Sequence, residues 1–328
     1  MATLKDIAAI TQLSLTTISR ILNYDQSLNV TPETRQKVFD VADAVGYKKI
    51  KKTESKPKIA LIDWYTPKQE MDDPYYLHIR LGIEKAASKY NLDLVSVYDI
   101  DITKPLPLAQ GAIAVGKFDC KEIAYISAHY QRIVFVDSSP RPSIYDSITV
   151  DTFEAYDEAY RYLEHCGIHD IGYIGGREYT KTLHEPVIDP REKYFIHRGH
   201  AKNRIHIGEF NTTSGYELMK HIINEGNLAK AYLVGNDHMA MGVLSALHEA
   251  SIRVPEDVSI IGFNGVEQSA YTIPPLTTIK VDQFDLGEVA VTTLIERING
   301  RTITKKIYLP TQLIIRQSTK EVLHETSY

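Results

Sequence analysis

Cysteine and long apolar runs are scarce in this chain of 328 residues. Its two cysteines, Cys120 and Cys166, are too few for a disulfide framework and suit a reducing compartment. No apolar run approaches the roughly 18 residues of a membrane-spanning helix, and no charged-then-apolar leader opens the sequence. We therefore expect a cytoplasmic protein without a membrane span.

The sequence also lacks the motifs of common enzymes. It has no phosphate-binding G-x-x-x-x-G-K-[ST] loop, no nucleophile elbow and no H-E-x-x-H zinc motif. Two groups of closely spaced histidines, His165 with His169 and His197 with His200, have no second cluster to complete a metal site. We expect neither an enzyme nor a bound metal or cofactor.

Charge is distributed unevenly along the chain. Residues 1–58 contain ten lysines and arginines against six acids, a net charge of +4, whereas the whole chain carries −5 and the remainder therefore −9. A basic segment attached to an acidic body is typical of a phosphate-binding module joined to a soluble sensor.

Three short helices are predicted in residues 1–47, here called the headpiece. Thr3 and Asp6 have the spacing of a capping box, and Ser14 offers an N-cap for a second helix. Thr31-Pro32 starts a third helix. The apolar residues expected to share one core are Leu4, Ile7, Ala8, Ile18, Ile21, Leu22, Val38, Val41, Ala42 and Val45.

Two short helices across a tight turn, braced by a third, favour a DNA-binding helix-turn-helix, whose second helix enters the major groove. Leu15 and Thr16 are placed for base edges, and Arg20 can bind guanine through two hydrogen bonds. Hydroxyl and amide side chains nearby suit phosphate oxygens. The predicted DNA-contacting residues of the headpiece are Thr3, Leu15, Thr16, Thr17, Ser19, Arg20 and Asn23. A three-helix protein-interaction bundle is the alternative on this pattern alone.

The headpiece contains a series of ordered motifs: Thr3-Leu4-Lys5-Asp6-Ile7-Ala8, Ser14-Leu15-Thr16-Thr17-Ile18-Ser19-Arg20-Ile21-Leu22-Asn23, Thr34-Arg35 with Val38, and Gly46-Tyr47. In these motifs it resembles the headpiece of the lactose/galactose repressor family. Thr11-Gln12 stands where the family usually has Ala-Gly, so we expect a reshaped turn, because a left-handed residue other than glycine costs about 1 kcal/mol. The resemblance implies a DNA-binding regulator.

The linker, residues 48–58, departs from the family. The family's hinge helix inserts a leucine into the minor groove, whereas this linker has no leucine and Ile50 is its only apolar side chain. We therefore expect salt-dependent attraction to phosphates rather than a sharp kink in the DNA. The lysines predicted to contact DNA are Lys48, Lys49, Lys51 and Lys52.

Short apolar runs alternate with helical stretches through residues 59–319, here called the body. The predicted strands are 59–62, 94–97, 112–115, 133–136, 171–174, 232–234, 258–263 and 312–315, and helices are expected at 76–90, 153–166, 215–225 and 238–250. Such alternation predicts an α/β body with parallel sheets and a ligand site beyond the carboxyl ends of the strands.

The family resemblance extends over the body. It rests on Asp73-Pro74-Tyr75-Tyr76, Gly172-Tyr173-Ile174-Gly175-Gly176, Gly235-Asn236-Asp237, Gly262-Phe263-Asn264, Pro274-Pro275-Leu276-Thr277-Thr278-Ile279 and Arg316-Gln317-Ser318-Thr319. It implies a type I periplasmic-binding-protein fold. Lobe one would comprise 59–150 and 283–311, lobe two 151–282 and 312–319, and 320–328 would form a tail.

The resemblance also implies an effector site in the cleft between the lobes. Polyols require planar polar groups for adjacent hydroxyls and an aromatic face for their C–H surface. The predicted effector residues are Tyr75, Asp137, Arg191, Phe210, Asn236 and Asn264. All of them except Asn264 have a structural alternative: a turn for Asp137, a surface ion pair with Glu192 for Arg191, a helix cap for Asn236, and core packing for Phe210 and for Tyr75 or Tyr76.

Family members dimerise partly through the segment that matches 271–275, so Tyr271 and Ile273 are predicted dimer contacts. The leading interpretation is a dimeric repressor on a palindromic operator, controlled by a sugar, with galactose or a galactoside as the effector. A regulator answering to a purine corepressor or a phosphoprotein partner is one alternative. A sugar-binding protein without DNA function is another.

Overall fold

The computed structural model describes residues 2–22, 25, 28–47, 56–98 and 100–321. The chain divides into two compact units, Met1–Ser55 and Lys56–Tyr328. The first contains the headpiece and the second contains the body. Within the described residues, no helix combines the length and the apolarity needed to cross a bilayer.

The headpiece consists of three helices around one small core. Its helices are α1 (Leu4–Thr11), α2 (Leu15–Leu22) and α3 (Pro32–Ala44). The fully or nearly buried core side chains are Ile7, Ile18, Ile21, Val38 and Ala42. All five belong to the predicted apolar set, so the helical spacing correctly identified the inner face of each helix.

Each headpiece helix begins at a side-chain cap. The Asp6 carboxylate accepts hydrogen bonds from the backbone N–H of Thr3 at 2.7 Å and from its hydroxyl at 2.9 Å. Ser14 Oγ accepts the N–H of Thr17 at 3.1 Å, and Thr31 caps α3 ahead of Pro32. The caps satisfy N–H groups that have no partner inside the helix, which fixes where each helix starts.

Gln12 itself adopts the left-handed conformation that ends α1, with φ 60° and ψ 28°. Its N–H bonds to the carbonyl of Ala8 at 2.9 Å. The turn between α1 and α2 is therefore made without glycine, at a conformational cost of about 1 kcal/mol.

Gln12→Gly is expected to raise the unfolding free energy of the headpiece by about 0.5–1 kcal/mol, since glycine removes the left-handed strain. Native-state hydrogen exchange of the headpiece amides measures this change. Gln36→Gly is the matched control, because it places glycine inside α3 and should destabilise by about 1 kcal/mol. Equal effects of the two variants would contradict the explanation.

Within its described residues, the body contains two six-stranded sheets joined by helices and a third sheet of two short strands. Its strands are β1 (Lys58–Asp63), β2 (Asp93–Tyr98), β3 (Ala112–Val115), β4 (Ile133–Val136), β5 (Asp146–Val150), β6 (Ile171–Gly176), β7 (Glu178–Tyr179), β8 (Pro186–Val187), β9 (Ile205–Gly208), β10 (Ala231–Val234), β11 (Ser259–Asn264), β12 (Thr277–Val281), β13 (Lys306–Leu309) and β14 (Thr311–Ile314). Its helices are α4 (Pro67–Asp72), α5 (Tyr75–Lys89), α6 (Cys120–His129), α7 (Thr152–His165), α8 (Pro190–His197), α9 (Thr212–Asn224), α10 (Asp237–Glu249) and α11 (Gln283–Ile298).

The sheet of lobe one has the order β13-β5-β4-β3-β1-β2, with every pairing parallel. The sheet of lobe two has the order β14-β12-β11-β10-β6-β9, with only β14 antiparallel. Strands buried on both faces, such as β3 and β10, read as unbroken apolar runs. The predicted fold class, a helical headpiece followed by a two-lobed α/β body, is confirmed.

The chain passes between the lobes three times, and each crossing is a single residue between regular elements. Asp151 joins β5 to α7, Asp282 joins β12 to α11, and Pro310 joins β13 to β14. The carboxyl ends of the parallel strands therefore face each other across the space between the two sheets.

Asp63, at the end of β1, is a buried carboxyl group of lobe one. It is 4% exposed, and its Oδ2 has no hydrogen-bond partner among the described residues. Burial raises its pKa from 3.8 to about 7, although the charge of Arg80 opposes the shift. Because the folded-state pKa lies above the ordinary value, the folded protein binds the Asp63 proton more tightly than the unfolded chain does. This contribution to the free energy of unfolding is present at low pH and is lost as the pH rises through 7.

Asp63→Asn does not titrate, so its stability relative to the wild type should increase between pH 5 and pH 8. Each unit of pKa shift corresponds to about 1.4 kcal/mol, so we expect a relative gain of at least that size. Urea denaturation of both proteins at the two pH values tests this. Parallel pH profiles would show that Asp63 is already ionised in the folded protein.

Candidate functional site

A cavity of about 270 Å³ lies between the two lobes, at the carboxyl ends of their strands. We call it the cleft. The six predicted effector residues, Tyr75, Asp137, Arg191, Phe210, Asn236 and Asn264, all line it. They come from both lobes and are spread over nearly 200 positions of the sequence. The fold therefore brings the predicted set into a single cavity.

Asp137 is the polar centre of the lobe-one side of the cleft. It follows β4 directly and has φ 62°, so the backbone turns away while the carboxylate faces the cavity. Tyr76 donates its hydroxyl to Oδ2 at 2.7 Å, and Tyr75 donates to Oδ1 at 3.2 Å. Lys117 forms an ion pair with the same carboxylate. Burial raises the pKa of both tyrosines, which keeps their hydroxyls protonated as donors.

Arg191 is the polar centre of the lobe-two side. Its guanidinium binds Asp189 through two hydrogen bonds, Nε to Oδ1 at 2.7 Å and Nη2 to Oδ2 at 2.8 Å, and its Nη1 donates to the carbonyl of Gly235. It also lies over the rings of Phe210 and Phe263, at 4.9 and 5.0 Å from their centroids. Three hydrogen bonds and two ring contacts fix the position of the guanidinium. The group is therefore preorganised as a planar hydrogen-bond donor.

The surface alternative for Arg191 is wrong. Glu192, its expected partner, instead accepts a hydrogen bond from Arg177 at 2.8 Å. Although burial alone would raise the pKa of Asp189, the Arg191 guanidinium holds it below its usual range. Asp189 is therefore a charged anchor at the start of α8, where its side chain also accepts the N–H of Arg191.

Asn236 combines the two roles weighed for it. Its Oδ1 caps α10 by accepting the N–H of Met239 at 2.8 Å. Its Nδ2 donates across the lobes to Asp73 Oδ2 at 3.1 Å and is 3.4 Å from the carbonyl of Phe210. Asn264 ends β11 with φ 101° and is 5% exposed. Both amides thus lie at strand ends that face the cleft.

Several cleft residues were not identified from the sequence. They are Tyr65, Asp73, Lys117, Glu178, Asp189, Lys306 and Tyr308, together with the segments 138–139 and 149–153. Asp73 stands within the Asp-Pro-Tyr-Tyr motif, which was a usable signal. Lys117 and Glu178 have no local motif, because their place in the cleft depends on contacts made between distant parts of the chain.

A short hairpin, residues 178–187, extends from lobe two to lobe one beside the cleft. It is formed by β7 and β8. The N–H and hydroxyl of Thr182 donate to Glu122 at 2.9 and 3.0 Å, and the N–H of Leu183 donates to Asp119 at 2.8 Å. Nearer the cleft, Tyr65 donates its hydroxyl to Glu178 at 2.6 Å. The hairpin therefore connects the lobes by hydrogen bonds as well as by the chain crossings.

The predicted DNA-contacting face lies on α2 of the headpiece. Leu15 is 43% exposed although it is apolar, and Thr16 beside it is exposed. Arg20 is 41% exposed and pairs with Asp25 at 2.7 Å. Thr3 is exposed, whereas Thr17 and Ser19 are half-buried. Asn23, Lys48, Lys49, Lys51 and Lys52 lie outside the described residues.

Two apolar side chains of lobe two are strongly exposed in the segment predicted to form a dimer contact. Tyr271 ends a short 3-10 helix and is 76% exposed, and Ile273 follows it with 92% exposure. Exposed large apolar groups that lie together are typical of protein interfaces.

Comparisons with known proteins agree on one family. The model for bacterial regulatory proteins of the lacI family matches residues 3–49, and the model for the periplasmic binding protein-like domain matches residues 160–319. The transcriptional repressor MelR of Bacillus subtilis (strain 168) is 36% identical, covering 97% of each chain. The transcriptional regulator GalR of Lacticaseibacillus casei is 38% identical, covering 97% of this chain and 100% of its own.

A solved structure of the lac repressor dimer bound to operator and the anti-inducer ONPF has a TM-score of 0.69 and 24% identity. The match covers 97% of this chain and 99% of the repressor chain. This likeness concerns the fold, since the identity is low.

Proposed function

The chain belongs to the lacI family of bacterial regulatory proteins, and we propose that it is a repressor whose operator affinity is controlled by a sugar. The observation that carries the proposal is the cleft, where Asp137 and Arg191 face each other from opposite lobes. A ligand bound to both would favour one arrangement of the lobes over another, which is what control of DNA binding requires.

The chemistry of the cleft suits a sugar. Asp137 offers a carboxylate for adjacent hydroxyls, and the amides of Asn236 and Asn264 offer donors and acceptors together. Phe210, which is half-buried and lines the cleft, provides an aromatic ring edge or face for the C–H surface of a sugar. We propose galactose or a galactoside as the effector, supported by the family resemblance and by the relative named GalR.

The headpiece is proposed to bind the operator. The exposed Leu15 and Thr16 are suited to base edges, and Arg20 can exchange its pair with Asp25 for a guanine. The lysines at 48, 49, 51 and 52 would add phosphate contacts. Each such contact steepens the dependence of affinity on salt, by a slope of about 0.9 per phosphate.

The test measures the full chain against galactose, galactosides, glucose, ribose and purines. Operator duplexes are first selected from a randomised pool, and each compound is then scored for its effect on operator affinity and melting temperature. We expect a galactose-containing sugar to raise stability by about 2.7 kcal/mol at 100 times its Kd and to change operator affinity. A response to a purine and to no sugar would overturn the proposal.

A matched pair of variants connects the response to the cleft. Asp137→Asn keeps a residue type that tolerates positive φ but removes the charge that pairs with Lys117. We expect it to weaken sugar binding at least tenfold. The control is Asp101→Asn, which changes a carboxylate of lobe one that does not line the cleft.

We further propose a homodimer that uses the segment containing Tyr271 and Ile273. Ile273→Asp should raise the dimer dissociation constant at least about tenfold, because it places a charge in an apolar contact. Sedimentation velocity over a dilution series measures this. Ile303→Asp is the control, since Ile303 is also strongly exposed, at 77%, but lies outside the segment. Equal behaviour of both variants would contradict the assignment.

A further inference from the structure

A second cavity, of about 790 Å³, lies beside the cleft and under the hairpin. We call it the hairpin chamber. Its own lining includes Trp64, Tyr179, Lys181, His184, Glu209 and Asn211. It shares four residues with the cleft, namely Tyr65, Asp73, Glu178 and Phe210. The two cavities are therefore neighbours separated by one wall.

The hairpin chamber has the aromatic surfaces of a sugar site. The rings of Tyr179 and His184 are stacked at 4.9 Å with an interplanar angle of 14°, and we call this pair the platform. Tyr179 is 46% exposed and lines the chamber, so part of the platform is accessible. Aromatic faces of this kind pack against the C–H surface of a sugar ring.

The polar groups of the chamber carry charges of both signs. Arg177 and Lys181 contribute positive charge, and Asp73, Glu178 and Glu209 contribute negative charge. Some of these groups already bind one another: Lys181 Nζ donates to Gln69 at 3.0 Å, and Asn211 donates to Glu209 at 2.9 Å. A phosphate or other anion would meet carboxylates here. Neutral hydroxyl groups, which both donate and accept, match such a mixed lining.

The wall between the cavities is itself polar. Its central contact is the hydrogen bond from Tyr65 to Glu178 at 2.6 Å, which joins lobe one to the hairpin. A sugar hydroxyl can replace either partner of this bond, whereas a glycosidic oxygen, which only accepts, can replace Glu178. The cleft alone, at about 270 Å³, is slightly smaller than the roughly 300–1,000 Å³ of typical small-molecule sites, so we take it to hold a ligand of about one sugar ring.

We propose that the hairpin chamber is a second sugar subsite, so that the effector is a galactoside of two units. One ring would occupy the cleft between Asp137 and Arg191, and the second would lie on the Tyr179–His184 platform. This inference rests on the proposed function, because it takes the cleft to be the effector site. It adds that the second unit, held by the hairpin, contributes to affinity and selects disaccharides over monosaccharides.

The experiment measures binding of galactose, lactose, melibiose and galactobiose to the full chain by calorimetry. We expect at least one disaccharide to bind about tenfold or more tighter than galactose. Tyr179→Ala should weaken that disaccharide about tenfold, because an aromatic contact is removed, and should leave galactose affinity within about twofold. Lys181→Met is a second variant that retains the platform and should shift the same ratio in the same direction.

Glu185→Ala is the matched control, since Glu185 is exposed on the same hairpin and lines neither cavity. It should change neither affinity. Two results would overturn the second subsite while leaving the proposed function intact. One is galactose binding as tightly as every disaccharide, and the other is equal weakening of galactose and disaccharide binding by Tyr179→Ala. Absence of binding by any sugar would overturn the proposed function as well.

Discussion

Replacing Arg191 with alanine is expected to lower the unfolding free energy of the body by about 3–5 kcal/mol. The guanidinium is buried beside Asp189, and the two hydrogen bonds between them satisfy both carboxylate oxygens. Without Arg191, the carboxylate of Asp189, which is 4% exposed, would be left as an uncompensated buried charge. Contacts with Phe210 and Phe263 would be lost at the same time.

Urea denaturation measures this loss, and two further variants identify its origin. Asp189→Asn combined with Arg191→Met removes both charges and should restore a large part of the stability while leaving sugar binding impaired. Arg253→Ala is the control, since Arg253 pairs with Asp257 at the surface with 68% of its side chain exposed. It should cost no more than about 1 kcal/mol. A similar cost for Arg191→Ala would show that the cleft arginine is not an anchor.

Removal of residues 1–55 is expected to abolish specific operator binding, with a loss of affinity of at least about a thousandfold. The boundary follows the structure, because β1 begins at Lys58 and the body forms its own compact unit. Sugar binding should survive with an unchanged dissociation constant, since every cleft residue lies within the body. Fluorescence anisotropy with the selected duplex and a thermal shift with the sugar test both parts.

A point variant separates loss of contact from loss of the whole headpiece. Thr16→Ala removes one exposed hydroxyl on α2 and should weaken specific binding about tenfold while leaving nonspecific binding unchanged. If the truncated protein retains specific affinity, the DNA-binding surface lies elsewhere in the chain.

Many strands of the body could be predicted because a strand buried on both faces consists of an unbroken apolar run. β3, β4 and β10 are buried along their whole length and appear as unbroken apolar runs. β9 and β13 are only partly buried and lie at sheet edges, so their sequences mix polar and apolar residues. These strands were missed. So were β5 and β12, which are largely buried but contain several polar residues and therefore do not read as apolar runs.

Cleft residues could be predicted where neighbouring residues in the sequence form a motif. They could not be predicted where only contacts between distant parts of the chain bring them to the cleft. Arg191 follows an Asp-Pro pair at a helix start, and Asn236 precedes a helix it caps. Lys117 has no such context, since its pairing with Asp137 joins residues 20 positions apart. The hairpin is a similar case, because Thr182 and Glu122 are 60 positions apart.

The three connections between the lobes form a hinge of very short segments. Asp151, Asp282 and Pro310 are each a single residue between regular elements, and proline has a fixed φ. Three such short connections limit how far the lobes can separate or slide, so we expect their relative motion to be mainly a rotation through small torsional changes. A ligand bound in the body would therefore act by changing the angle between the two lobes. An insertion that lengthens one of the three connections should widen the range of that angle without altering any ligand contact.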